Sequence, residues 1–266
     1  MFLTKKALVK IWVRVGAYIA LGVLAFCMPL AHTALRPDSV KYVIFGSICL
    51  LLALLFYKWG RIAEGKGKLL RKGRKLIHFE MRPEEFIRLY NETRDCPSNV
   101  VSEPDFDVLT MLAAAYDALD DEEHELEILE QMSRIEFKNK ATHVKILKAS
   151  VLFDKGRKEE AEEIYDQVLQ DEKNPLITAM FESVTKCDRA LAMGDYAVAE
   201  EYCKQQLIRS FPKPTPYGDV VNHFKLAEIY CKTNRSDEAK QHLNYCIENG
   251  KELPIVNKAR AMLEKL

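Results

Sequence analysis

Two kinds of apolar pattern divide the chain. Near the N-terminus, the apolar residues form two runs, 15–35 and 42–57, and neither run contains a formal charge. As a helix, an uncharged run of about 20 residues is long enough to cross the hydrocarbon core of a bilayer. We therefore predict a two-helix transmembrane hairpin, with spans at about 15–35 and 41–58, that forms a membrane anchor over residues 1–59.

From residue 83 onwards, the apolar positions recur every three or four residues, which is typical of amphipathic helices. Short turns with Gly, Asn or Asp separate these segments, and no alternating strand pattern of useful length occurs. The fold class is therefore expected to be all-α, with a first helix at 83–94, four helix pairs and a last helix at 253–265. The pairs are predicted at 106–119/122–137, 140–155/158–171, 175–193/196–210 and 217–233/236–249.

A small residue recurs at one place in the second helix of most pairs. Antiparallel helices approach closely only where the side chains between them are small, so a recurring Ala predicts a recurring helix pair. The Ala positions are 38 and 40 residues apart, and an earlier unit has Asp120 at its turn and Glu125 where the others have Ala. Turn and Ala fall at Gly156 and Ala161, Gly194 and Ala199, and Asn234 and Ala239.

The first helices carry a matching pattern, Leu-Ala-x-x-Tyr, at 112–116 and 226–230. Together with the second-helix Ala, this resembles the tetratricopeptide repeat family, whose units of about 34 residues carry L-G-x-x-Y and A-x-x-x-F. The resemblance covers about residues 106–254 and implies an α-solenoid of helix pairs over 83–266. The units here are longer, they lack the family's Trp, and one has Glu125 in place of Ala. Helical repeats of another type are the alternative.

The resemblance also implies which side chains line the concave groove of the solenoid. They lie at inward-facing offsets of the first helices and are mostly acidic, so the expected partner is a protein or peptide that is basic or extended. Carried onto this chain, the groove residues are Asp117, His143, Ser150, Asp154, Asp188, Glu228 and Lys232.

Charge is distributed unevenly, although the formal net charge is zero. Residues 1–76 contain 14 Lys or Arg and 2 Asp or Glu, whereas 77–266 contain 25 and 37. A basic juxtamembrane neck, at 60–82, is expected to lie beside membrane lipids or simply to fix topology. No nucleic acid partner is expected, because the acidic part would repel phosphate. The lipid-facing side chains would be Lys66, Lys68, Arg71, Lys72, Arg74 and Lys75.

The distribution of Lys and Arg around the two runs predicts topology. Four cations precede the first run, two lie between the runs and eight follow the second, which favours both termini in the cytoplasm. The chain is thus expected to be a multi-pass protein of the cell inner membrane, of bacterial type. Its expected function is that of an anchored adaptor or scaffold. The alternatives are an exported repeat domain that assists envelope protein assembly or folding, and a self-assembling homo-oligomer.

The sequence offers little for catalysis. It contains no GxSxG, HExxH or phosphate-loop motif, and its carboxylate runs lie where helices begin, a position that favours negative charge. His242 and Cys246 are four residues apart on one predicted helix and His223 lies on the preceding one, but this pattern is weak for a metal site. We expect no enzyme activity, no metal and no cofactor.

Overall fold

The computed structural model describes residues 39–94, 105–135, 140–209 and 213–266. Within these ranges every regular element is a helix, which confirms the all-α class and the predicted helix pairs. The last residues of two predicted helices, at 136–137 and 210, lie outside the described residues. In chain order the elements are α1 (Ser39–Arg74), a π-helix (Lys75–Glu80), α2 (Pro83–Arg94), α3 (Phe106–Ala118), α4 (Glu122–Arg134), α5 (Ala141–Asp154), α6 (Lys158–Asp171), α7 (Pro175–Met193), α8 (Tyr196–Ile208), α9 (Pro216–Lys232), α10 (Ser236–Asn249) and α11 (Pro254–Leu263).

The prediction of a multi-pass inner-membrane protein is contradicted by the structure. In the described ranges, no helix combines the length and the apolar character needed to cross a membrane. The uncharged run at 42–57 spans only about 24 Å as a helix, short of the roughly 30 Å of a hydrocarbon core. It lies within the longer α1, which continues through basic residues to Arg74. The first predicted span, at 15–35, lies outside the described residues, so the hairpin has no support.

The predicted basic neck continues as helix rather than as a separate linker. Residues 65–74 belong to α1. Leu69, Leu76 and Ile77 are buried in the core of the compact unit that the described residues from Leu69 onwards form, here called the repeat unit. Lys75 pairs with Glu80 at 2.7 Å, and the predicted lipid-facing cations are exposed, apart from the half-buried Lys66. Contact of these cations with lipids has no support in the structure.

The turns between paired helices have the backbone conformation that their residue types favour. Glycine takes a positive φ at little cost, and Asn and Asp take it more readily than other side chains. All four turn residues identified in the sequence have positive φ values: Asp120 at 58°, Gly156 at 74°, Gly194 at 77° and Asn234 at 58°.

Side chains at the helix starts satisfy backbone amides that have no partner within the helix. Five of the helices described here begin at an N-cap side chain that accepts a hydrogen bond from a backbone amide of the first turn, and one of these N-caps is Asn174 before α7. The other four N-caps are Asp105 before α3, Asp121 before α4, Asp195 before α8 and Thr215 before α9.

The recurring small residue of the second helices is part of the hydrophobic core. Ala161, Ala199 and Ala239 are fully buried, which confirms their predicted role in close packing. Glu125, at the same place in the earliest pair, is also buried, with 4 % of its surface exposed. One pair therefore packs a carboxyl group where the others pack a methyl group.

The last helices of the repeat unit pack beside its first ones. One core cluster joins Leu69 and Phe86 to Val220 and Ala259, and the π-helix contacts α9. Lys251 adds a hydrogen bond of 2.8 Å from Nζ to the carbonyl oxygen of Glu80. Residues of the first helices of all four pairs, α3, α5, α7 and α9, line one cavity within the unit.

Candidate functional site

A cavity of about 370 Å³ lies where the first helices converge. Its walls come from α3, α5, α7 and α9, with contributions from α4 and α11. Asp120 and Lys258 line it and are partly exposed, with 37 % and 48 % of their side-chain surfaces accessible, so the cavity reaches solvent beside them. Its size lies at the small end of the range of ligand pockets.

Five of the seven predicted groove residues line this cavity. The other two lie at opposite helix ends. His143, near the start of α5, packs edge-on against Phe106 with ring centroids 6.3 Å apart. Lys232 is the last residue of α9 and is exposed. The five lining residues are Asp117, Ser150, Asp154, Asp188 and Glu228.

Two polar contacts on the cavity wall join the first pair to the last helices. The hydroxyl of Tyr217, on α9, donates a hydrogen bond to Oδ2 of Asp117, on α3, at 2.9 Å. Nζ of Lys258, on α11, lies 2.6 Å from Oδ1 of Asp120. Helices about 100 or more residues apart in the chain are thus joined through the polar walls of the site.

Lys225 is the central cation of the cavity. Its Nζ bonds to Oδ1 of Asp188 and lies 3.3 Å from Oδ1 of Asp154, while Ser150 donates to Oδ2 of Asp188 at 2.9 Å. Burial disfavours the charge of this lysine, but the carboxylates of Asp188 and Asp154 outweigh burial and raise the pKa of Lys225 well above its usual value. The lysine is therefore a fixed cation that holds α5, α7 and α9 together.

Carboxyl groups exceed cations on the cavity wall. Six of the lining residues are Asp or Glu and three are Lys. Burial raises the pKa of Asp117, with the nearby Asp154 adding to the shift, and burial also raises the pKa of Glu228. Such shifts mean that these carboxylates lack enough positive charge around them.

Glu125 is the least satisfied of these carboxyl groups. Its Oε2 is buried and has no hydrogen-bond partner in the described structure. Burial raises the pKa of Glu125 to about 8, and the negative charge of Asp117 contributes. A buried acceptor without a partner costs free energy, so this oxygen is the open position of the site.

The sequence patterns did not identify Glu125, Tyr217 or Lys225 as site residues. Glu125 was visible only as a departure from the repeated Ala. Tyr217 and Lys225 gave no signal, because their partners lie far away in the chain. A charged residue at a position that otherwise requires a small one was the single clue that the sequence offered.

The histidines of the weak metal pattern do meet. Nδ1 of His223 lies 2.7 Å from Nδ1 of His242, and His223 also stacks on Tyr245 with centroids 3.7 Å apart. The thiol of Cys246 instead donates to the carbonyl oxygen of Val220. Across the described residues, no group of three or more His, Cys, Asp or Glu is placed to hold a metal ion.

Comparison with known proteins identifies one repeat. Residues 142–170, which form most of α5 and α6, match the family model described as tetratricopeptide repeat. No curated protein matches the chain, and no solved structure does. The match supports the resemblance to the tetratricopeptide repeat family for this helix pair, and repeats of this family are units of protein–protein interaction.

Proposed function

We propose that the chain is an adaptor whose repeat unit binds a basic segment of a partner protein in the acidic cavity. The observation that carries this proposal is the convergence of five groove residues on one cavity with twice as many carboxyl groups as lysines. Complementary charge gives a partner specificity and a faster rate of association. We propose binding rather than catalysis, because Lys225 and Asp188 are engaged with each other and with neighbouring wall residues.

The test is selection of peptides from a random display library against the full-length chain. Peptides that bind in the cavity are expected to be enriched in Lys or Arg and to bind less tightly as salt increases. Ala114 lines the cavity and is half-buried, so Ala114→Trp should fill the space and weaken binding about ten-fold or more.

The matched control places the same bulk elsewhere. Gln170 is exposed on α6 and does not line the cavity, so Gln170→Trp should leave binding unchanged. Circular dichroism would check that both variants keep their helices. Equal binding to Ala114→Trp and the wild type, or selected peptides without basic residues, would overturn the proposal.

A further inference from the structure

This inference rests on the proposed function and specifies which chemical group of the partner the cavity binds. We infer that the cavity accepts the side-chain ammonium of a lysine from the partner, and that the carboxylate of Glu125 is the acceptor. Glu125 thus acts as a binding residue at a position that the other repeats use for packing.

Glu125 lies at the position of the helix pair where the other repeats have a buried Ala. The equivalent residues Ala161, Ala199 and Ala239 are fully buried, so this place in the pair belongs to the core. Glu125 keeps that place with 4 % of its surface exposed and lines the cavity, yet its Oε2 has no partner. A carboxyl group that packs without a partner is costly to the fold, and a ligand that supplies a donor would remove the cost.

The charged groups that act on Glu125 are mostly negative. Asp117 on α3, Asp154 on α5 and Glu122 on its own helix are negative, and Lys155 is the cation that acts on it. Nζ of Lys155 lies 3.2 Å from Asp120 and 3.6 Å from Asp154, so its charge is shared with other carboxylates. The missing group beside Glu125 is therefore a cation.

The remaining walls indicate what carries the cation. Leu129, Leu147, Val151 and Phe224 line the same cavity and offer apolar surface to an alkyl chain. A lysine side chain combines such a chain with a charged end. Its ammonium is compact and has three donors, which suits carboxylate oxygens that come from several helices, whereas a guanidinium suits one carboxylate facing it with both oxygens.

Protonation supplies a signature for this binding. With burial and Asp117 raising its pKa to about 8, Glu125 is largely protonated at neutral pH while the cavity is empty. An arriving ammonium favours the carboxylate, so Glu125 releases its proton to solvent as the ligand binds. Affinity should therefore rise with pH up to and through about 8, and Glu125→Gln should abolish the rise.

The experiment is a titration of the full-length chain with two defined probes, acetyl-Gly-Lys-Gly-amide and the matched peptide with norleucine in place of lysine. Binding is followed by NMR of ¹³C-labelled alanine methyl groups, because Ala113, Ala114 and Ala118 line the cavity. Wild-type affinity for the lysine peptide should increase about ten-fold or more between about pH 6.5 and about pH 8.5. The norleucine peptide should bind at least about ten-fold more weakly at the higher pH.

Two substitutions separate binding from folding. Glu125→Gln keeps the shape of the protonated side chain and should lose both the affinity and its pH dependence. Glu127→Gln changes an exposed residue of the same helix and should behave as the wild type. Unchanged pH dependence in Glu125→Gln, or equal affinity for both peptides, would overturn the inference.

The outcomes also distinguish this inference from the proposed function. If display-selected peptides bind in the cavity through Arg and tolerate norleucine in place of any lysine, the adaptor function stands and the ammonium site fails. If neither selected nor defined peptides shift the cavity methyl groups, both fail. A titration with 1,4-diaminobutane tests whether the ammonium comes from a partner's lysine or from a free amine. Binding of the diamine without binding of the lysine peptide would overturn the inference that the ligand is a lysine of the partner.

Discussion

Tyr217 and Asp117 lie 100 residues apart in the chain and are joined by a hydrogen bond of 2.9 Å. The bond links the first helix of the first pair to the first helix of the last. Because Asp117 is surrounded by other carboxyl groups, the hydroxyl of Tyr217 is one of the few donors that oppose the rise of its pKa. The same hydrogen bond therefore joins the first and last helix pairs and limits the rise in the pKa of Asp117.

Removal of the hydroxyl should therefore destabilise the whole unit. We expect Tyr217→Phe to lower the free energy of unfolding by about 2 kcal/mol at neutral pH, since it leaves a buried carboxyl group without its donor. Urea denaturation would measure the change. Tyr196→Phe is the control, because no hydrogen bond from the Tyr196 hydroxyl occurs in the described structure, and a loss of the same size there would contradict the argument.

Glu125 should make the protein less stable as pH rises. Its pKa is about 8 in the folded chain, above the usual value of 4.5, so the folded state binds more protons than the unfolded state between these values. The contribution of Glu125 to the free energy of unfolding is then fully present below about pH 4.5 and is lost as pH rises through 8. Glu125→Gln removes the titration and should raise the free energy of unfolding near pH 8.5 by about 2 kcal/mol, with less gain near pH 5.

Urea denaturation at both pH values checks this sign. Glu127→Gln, at an exposed position of α4, should show no such difference between the two pH values. A gain for Glu125→Gln that is equal at both pH values would mean that the carboxyl group is not protonated in the fold.

His223 should give the opposite dependence. Burial, together with the neighbouring His242, lowers the pKa of His223 to about 4, so the unfolded state binds more protons between about 4 and 6.5. The contribution of His223 to the free energy of unfolding is present above pH 6.5 and is lost as pH falls through 4. We expect His223→Phe, which retains a ring to stack on Tyr245, to reduce the loss of stability between about pH 7 and pH 4 by about 1 kcal/mol.

His124 provides a contrast for this measurement. It is exposed, and its hydrogen bond to the Asp121 side chain raises its pKa, so its contribution is present below pH 6.5. Substitution of His124 by Gln should make the protein more sensitive to acid. Thermal unfolding followed by circular dichroism across this pH range would show whether the two substitutions act in opposite directions.

Local residue patterns predicted the helix pairs well because the forces that define them act over short distances in the chain. Asp120 and Gly156 take the turn conformation from their own residue types, and Ala161 packs within its own pair. The cavity depends instead on contacts such as Lys225 with Asp154 and Tyr217 with Asp117, which join helices separated by 71 and 100 residues. No local pattern encodes such contacts, so the family offsets named the wall residues but not the pairs that they form.

The contradicted membrane prediction has a related cause. The uncharged run at 42–57 has the composition of a membrane span, but it is only one part of a longer helix. That helix continues through Lys58 and the basic residues as far as Arg74, and its last turns carry Leu69 into the core of the repeat unit. Apolar composition thus identified a helix but did not establish what surrounds it.

Close approach of α1 to α2 makes Gly73 a sensitive position. A Cβ atom built there would lie 2.6 Å from Cε2 of Phe86 and 3.1 Å from Cγ of Met111. Phe86 is fully buried, so its ring would have to repack within the core, and Gly73→Ala should lower the free energy of unfolding by about 2 kcal/mol despite the better helix propensity of Ala. Gly67, on the same helix, has no atom within 4 Å of such a Cβ, so Gly67→Ala should stabilise by up to about 1 kcal/mol. Urea denaturation of the two variants would therefore show opposite signs, and a stabilised Gly73→Ala would mean that α1 and α2 do not pack as closely as described.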